Sequence, residues 1–166
     1  MLKVGTFSKI IATGLRAGWV QAAPQLADAV ARVRFDMGNS PLLHMMLADY
    51  VASGKLDRHV EHMRGIYARK CEALSDSLAK HCREYVRFKR PDGGFFLWVE
   101  CIGASAADVA REAAVEGLIF PTGANFFRDG EAADDKHLRL AFSTATVEQL
   151  SQVGPRLRRA FQRLTK

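Results

Sequence analysis

Apolar positions recur at helical spacing through the middle and end of the chain, and at strand spacing between them. Over 56–81, Val60, Met63, Ile66, Tyr67, Leu74 and Leu78 recur three and four residues apart, while Arg58, Glu61, Arg64, Arg69, Lys70 and Glu72 take the other face. That period predicts one long amphipathic helix. Upstream, Pro24 opens a helix over 24–34, proline being favoured in a first turn. Residues 35–39 read as a turn. Ser40-Pro41 marks the next start, an N-cap hydroxyl followed by proline at the first helical position. Leu42, Leu43, Met45, Met46, Leu47 and Val51 then predict a heavily buried helix that stops at Ser53-Gly54.

Downstream the period shortens to two. Residues 85–89 alternate as a strand, 90–94 form a turn, and the β-rich apolar run Phe95-Phe96-Leu97-Trp98-Val99-Glu100 predicts a central strand. Ser105, with Asp108 three residues on, caps a helix that ends at Gly117. Short strands are expected over 118–120 and 138–142, separated by a turn at Pro121-Thr122-Gly123 and a polar loop over 128–136. Thr146 or a neighbour caps a last helix reaching Leu164, with Leu150, Val153, Leu157, Phe161 and Leu164 inward and Pro155 kinking or interrupting it. Residues 1–4 hold one short strand at most. This order reads as helices layered on a small sheet, an α+β arrangement.

Composition narrows the classes. A chain of 166 residues with 48% apolar and 25% charged residues is globular and long enough to bury a core. No apolar run approaches the ~20 residues of a membrane span, and the N-terminus is too short and mixed for a signal peptide, so no membrane partner and a cytoplasmic location are expected. Cys71, Cys82 and Cys101 are odd in number and lack metal-ligand spacing, which suits reduced structural thiols. Of the histidines, only His59 and His62 share a helical face, no carboxylate completes a set with them, and no metal is expected. The formal charge of +6 lies largely on helices, as at Arg156, Arg158, Arg159 and Arg163. It reads as a solvated helix face: no aromatic-interleaved basic groove is visible, and no nucleic-acid partner is expected.

The chemistry concentrates near the start. The run Gly5-Thr6-Phe7-Ser8-Lys9-Ile10-Ile11-Ala12-Thr13-Gly14-Leu15-Arg16-Ala17-Gly18-Trp19 sets an amine beside two hydroxyls, then an arginine between glycines. Lys9 has the chemistry to form a Schiff base with a carbonyl. Thr6 and Ser8 can hydrogen-bond phosphate oxygens, and Arg16 adds a two-pronged cation. By frequency alone a lysine is a solvated surface group. Here the neighbours Val4, Phe7, Ile10, Ile11, Leu15 and Trp19 are apolar, surroundings that lower a lysine's pKa and make it a nucleophile.

The segment resembles the active-site lysine segment of fold-type I pyridoxal-phosphate (PLP) aminotransferases. It is most similar to the branch containing 2-aminoadipate and kynurenine aminotransferases, whose segment runs Ser-Phe-Ser-Lys, a spacer, then Gly-Leu-Arg-x-Gly. Thr6-Phe7-Ser8-Lys9 and Gly14-Leu15-Arg16-Ala17-Gly18 match it, with Lys9 and Arg16 seven apart as in that branch. Thr13 replaces the usual proline and should loosen the turn before Gly14. Three later stretches match as well: Gly93-Gly94-Phe95-Phe96-Leu97-Trp98, the Pro-Gly-x-x-Phe-like Pro121-Thr122-Gly123-Ala124-Asn125-Phe126-Phe127 with Thr122 inserted, and Leu138-Arg139-Leu140-Ala141-Phe142-Ser143.

The resemblance implies an α/β fragment of fold type I. Residues 1–38 would be the end of the large PLP-binding domain with a linker helix, and 39–166 the small C-terminal α+β domain. It further implies PLP held by Lys9 as a Schiff base with Thr6, Ser8 and Arg16 on its phosphate, and Arg139 on the substrate α-carboxylate. The partners would be amino acid and 2-oxo acid substrates, and the full-length form a homodimer. The family's ring-contacting residues would lie upstream of Met1, so the activity of the isolated chain is in question. Two other readings stand beside the enzyme: the aminotransferase-like effector domain of a winged-helix transcriptional regulator, and an inactive gene remnant.

Overall fold

The computed structural model describes residues 1–34, 38–126 and 135–165. The turn expected at 35–39 and the polar loop expected at 128–136 fall mostly outside the described residues, as does Phe127. The chain divides into two compact units, Met1–Met63 and Arg64–Lys166. No helix among the described residues is long and apolar enough to cross a membrane.

The first unit opens on two antiparallel strands, β1 (Lys3–Thr6) and β2 (Gly18–Gln21), running in register from Lys3 opposite Gln21 to Thr6 opposite Gly18. The apolar–glycine pattern did not announce β2. Its pairing depends on small residues. A Cβ on Gly5 would lie 2.3 Å from the Trp19 ring, so only glycine lets the indole lie across the strand. Helix α1 (Pro24–Val33) follows with its proline in the first turn, as expected. Helix α2 (Pro41–Ala52) starts where predicted, but the Ser40 side chain makes no capping bond. The expectation of heavy burial for α2 fails too. Leu42, Met45 and Met46 are 67%, 72% and 60% exposed, because no described residue forms a second layer over them. Among the described residues of this unit only Ala17 is buried.

Helix α3 (Lys55–His81) matches the long amphipathic prediction; Leu74 and Leu78 are fully buried, and Val60, Met63, Ile66 and Tyr67 are half-buried. In the second unit it packs with α4 (Ala106–Val115) and α6 (Val153–Leu164) on one face of an antiparallel sheet ordered β3 (Val86–Phe88), β4 (Phe96–Cys101), β5 (His137–Ala141). The central place of β4 agrees with its apolar run. Strand alternation divides the sheet cleanly. Leu97, Val99, Cys101, Leu138 and Leu140 enter the core, whereas Phe96, Trp98, His137 and Arg139 occupy the opposite face. Residues 118–120, expected as a strand, are irregular. Only Thr122 bridges to Leu138, and Gly123–Phe126 form a one-turn 3-10 helix.

The last predicted helix is two. Helix α5 (Val147–Ser151), with a full capping box between Thr146 and Gln149, ends before α6 begins. The break falls ahead of Pro155, which lies in the first turn of α6, where a missing N–H costs nothing. The Ser151 carbonyl, which proline leaves without its helical donor, accepts instead from the Ser77 hydroxyl at 2.6 Å. The terminal basic face is not simply solvated. Arg159 (2.6 Å) and Arg163 both grip the Glu116 carboxylate at the end of α4, and Arg156 reaches the Glu116 carbonyl at 3.5 Å. Cations thus close the negative end of that helix. All three cysteines are buried and none forms a disulfide; burial pushes the Cys82 thiol up to about 11, and it donates to the Gly154 carbonyl at 3.2 Å.

Candidate active site

The loop joining β1 to β2 carries Ser8, Lys9 and Arg16, with Thr6 at its root. Phe7 N–H donates to Ala17 O at 3.0 Å, and Ile10 and Ile11 N–H both donate to Phe7 O (3.2 and 2.8 Å), closing a turn around Ser8 and Lys9. Lys9 is exposed, as is Ile10 beside it, so the apolar surroundings expected of this lysine are absent among the described residues. Thr6 ties the loop to itself. Its hydroxyl donates to Ala17 O at 3.3 Å and accepts from Ser8 N–H at 3.1 Å, so its proton is committed to the loop itself. Ser8 is half-buried with no hydrogen bond to its hydroxyl among the described residues.

The loop closes through a short 3-10 turn, Thr13–Leu15, and Arg16 follows it in the left-handed region at φ 47°, ψ 29°. Arg16 is the only non-glycine residue with positive φ among the described residues, a conformation that costs about 1–2 kcal/mol. Its carbonyl accepts from Asn39 Nδ2 at 3.3 Å, and its guanidinium has no acidic partner among the described residues. His59 Nε2 lies 3.0 Å from the Ile10 carbonyl, so that nitrogen carries a proton and donates to the loop just after Lys9. Sequence reasoning missed both Asn39 and His59 as loop-holding residues. Neither has a local signal, since their partners lie 23 and 49 positions away.

In the second unit Arg139 occupies the sheet face opposite the core, paired in register with Trp98. Its guanidinium carbon lies 4.1 Å from the centres of both the Phe96 and the Phe126 ring. Both rings thus make cation–π contacts with the guanidinium. Its buried Nε has no hydrogen-bond partner, and no carboxylate pairs with it among the described residues. Trp98 packs edge-on against Phe126 (5.8 Å) and is stacked on His137 (5.4 Å). A planar fork held against two rings, with no anion paired to it among the described residues, can take a carboxylate in its own plane.

The residues fit PLP. The cofactor is an aldehyde carrying a phosphate, and a single loop offers an exposed amine, a hydroxyl and a guanidinium without partners among the described residues. A lysine loop between paired strands is held by the first unit, and a small sheet presenting an arginine against two rings by the second. The family described as aspartate amino-transferase matches residues 39–156, and the chain belongs to it. A curated 2-aminoadipate transaminase of Thermus thermophilus is 30% identical over 99% of this chain and 41% of its own length. The solved structure of LysN, an alpha-aminoadipate aminotransferase of the same organism complexed with N-(5'-phosphopyridoxyl)-L-leucine, superimposes with a TM-score of 0.87 at 30% identity, covering 99% of this chain and 42% of that one. An uncharacterized HTH-type transcriptional regulator of Escherichia coli, YjiR, is 29% identical over 98% of this chain and 35% of its own length. The fold is thus that of the fold-type I aminotransferases, and the chain spans about two fifths of the aminotransferases it matches.

Proposed function

We propose that this chain is the portion of a PLP-dependent aminotransferase that holds the cofactor through Lys9 and the substrate carboxylate through Arg139. Residues 1–38 then belong to the end of the large domain and 39–166 to the small one. The observation that carries the reading is the single loop that brings Ser8, Lys9 and Arg16 together. When bound, PLP supplies an electron sink for the pair left on the amino acid's α-carbon. The Lys9 amine would hold the cofactor's carbonyl carbon, and as a free amine it would be the base that takes the α-proton. Arg16 and the Ser8 hydroxyl neutralise and hydrogen-bond the phosphate. Thr6 joins them only by turning its proton away from Ala17; in the conformation described it shapes the loop. Arg139 makes two parallel bonds to the α-carboxylate, which fixes the rotation of the amino acid and so the direction of its α-hydrogen.

The phosphopyridoxyl-leucine held by LysN supports both the cofactor and an L-amino acid as substrate; transamination then takes a 2-oxo acid as the second substrate. The family resemblance supports a homodimer in the full-length form. The test is transamination by the PLP-loaded protein, followed as 2-oxo acid release. Lys9→Ala should lower turnover by about 10²–10⁴-fold, the contribution of a positioned acid–base group. Full turnover in that variant would overturn the reading.

The similarity to YjiR favours a second reading, an aminotransferase-like effector domain of a regulator. In that case the protein carrying this chain binds DNA, responds to PLP and an amino acid, and releases no 2-oxo acid.

A further inference from the structure

We propose that Phe96 and Phe126 form a two-sided aromatic clamp that positions the Arg139 fork, and that both are positioning residues for substrate carboxylate binding. This rests on the reading of Arg139 as the carboxylate-binding group. Among the described residues nothing else holds the end of this side chain: its Nε is buried without a partner, and no carboxylate faces it. What fixes the guanidinium is the pair of rings, each 4.1 Å from its central carbon. An arginine free to rotate would have to be ordered by each incoming substrate; one already held between two rings presents its in-plane N–H groups at no further entropic cost.

The clamp is built from two separate parts of the fold. Phe96 stands on β4 opposite Ala141, and the small alanine leaves the ring room to lean diagonally onto Arg139, two residues back along β5. Phe96 is braced edge-on by Phe95, which in turn meets Tyr67 of α3 edge-on. Phe126 closes the other face from the 3-10 turn Gly123–Phe126, braced by Trp98. That turn is tied to β5 by the Thr122–Leu138 bridge and by Arg139 N–H donating to the Pro121 carbonyl at 3.1 Å. The same stretch of chain thus fixes both the backbone of the arginine and one wall of its clamp. Phe96 and Phe126 are 42% and 44% exposed, so truncating either spares the core.

The test has two arms. In the chain labelled with ¹⁵N-arginine, the Arg139 Nε–H resonance, assigned by its loss in Arg139→Gln, should lie in the ring-current-shifted range. It should move in both Phe96→Leu and Phe126→Leu. In the PLP-loaded protein each leucine variant should raise KM for the amino acid ~3–10-fold, as expected for losing one cation–π face. Turnover at saturation and cofactor absorbance should stay near wild type, and Phe126→Tyr, which keeps the ring, should restore KM. A resonance indifferent to both substitutions overturns the clamp. A resonance that moves while KM does not, with Arg139→Gln still raising KM, overturns the positioning role. An unchanged KM in Arg139→Gln sinks the underlying carboxylate reading and the positioning role with it, and the resonance arm then stands apart as evidence on the stacking alone.

Discussion

Gly154→Ala tests the tightest helix contact in the second unit. Gly154 is the second residue of α6, and a Cβ there would lie 2.2 Å from the Ser77 carbonyl oxygen and 2.7 Å from its carbon. The obstacle is backbone of α3, which cannot swing aside as a side-chain end would. The same junction carries three bonds: Gly154 N–H to Ser77 Oγ (2.9 Å), Ser77 Oγ–H to Ser151 O (2.6 Å) and Cys82 Sγ–H to Gly154 O (3.2 Å). Overpacking costs about 1–3 kcal/mol, and strained buried hydrogen bonds about 0.5–1.5 kcal/mol each, while replacing a helical glycine by alanine returns about 1 kcal/mol. With two bonds disturbed, the net loss is about 3 kcal/mol. Urea unfolding read by Trp98 fluorescence in a Trp19→Phe background isolates the second unit, since the chain has two tryptophans, one in each unit. At a slope of about 2 kcal/mol/M the midpoint should fall by about 1.5 M. An unchanged or raised midpoint would show that α3 and α6 do not approach this closely.

Other consequences follow from the same unit. Ser105→Ala removes the hydroxyl that accepts from Asp108 N–H at 3.1 Å and should cost about 1 kcal/mol in the same urea assay. The Glu116 carboxyl is held below the ordinary carboxylate range, chiefly by its hydrogen bond from Arg159 and further by Arg163. A depressed folded pKa gives stability that is present above the ordinary carboxylate pKa of about 4.3 and lost as pH falls through the lower folded value. The difference in thermal midpoint between wild type and Glu116→Gln should therefore be level near neutral pH and close on acidification; a gap that widens in acid would contradict the assignment.

The second unit was largely legible because its signals are local. Strand alternation at β4 and β5, the Ser105–Asp108 cap and the helical period of α3 are each encoded within a few residues of the element they form. The errors arose where partners are remote. The break between α5 and α6 depends on Ser77, 74 positions before Ser151, taking the carbonyl that Pro155 cannot serve. Residues 118–120 have strand-like side chains but form no ladder. Helix α2 is rich in apolar residues, which reads as a buried helix, yet Leu42, Met45, Met46 and Val51 stay exposed. In the candidate site, the motif singled out Lys9, Ser8, Arg16 and Arg139 as candidates. It did not give the commitment of the Thr6 hydroxyl to Ala17, the left-handed backbone of Arg16, or the aromatic faces on Arg139, all of which arise from contacts across the fold.

The central claim is that Lys9 is the cofactor lysine. The direct measurement is to incubate the protein with PLP, reduce with borohydride to make any Schiff base permanent, and map the adduct by peptide mass spectrometry. The account predicts one dominant phosphopyridoxyl adduct at Lys9, lost in Lys9→Ala without reappearing on another lysine. An adduct spread over the surface lysines, or concentrated on one other than Lys9, would contradict it.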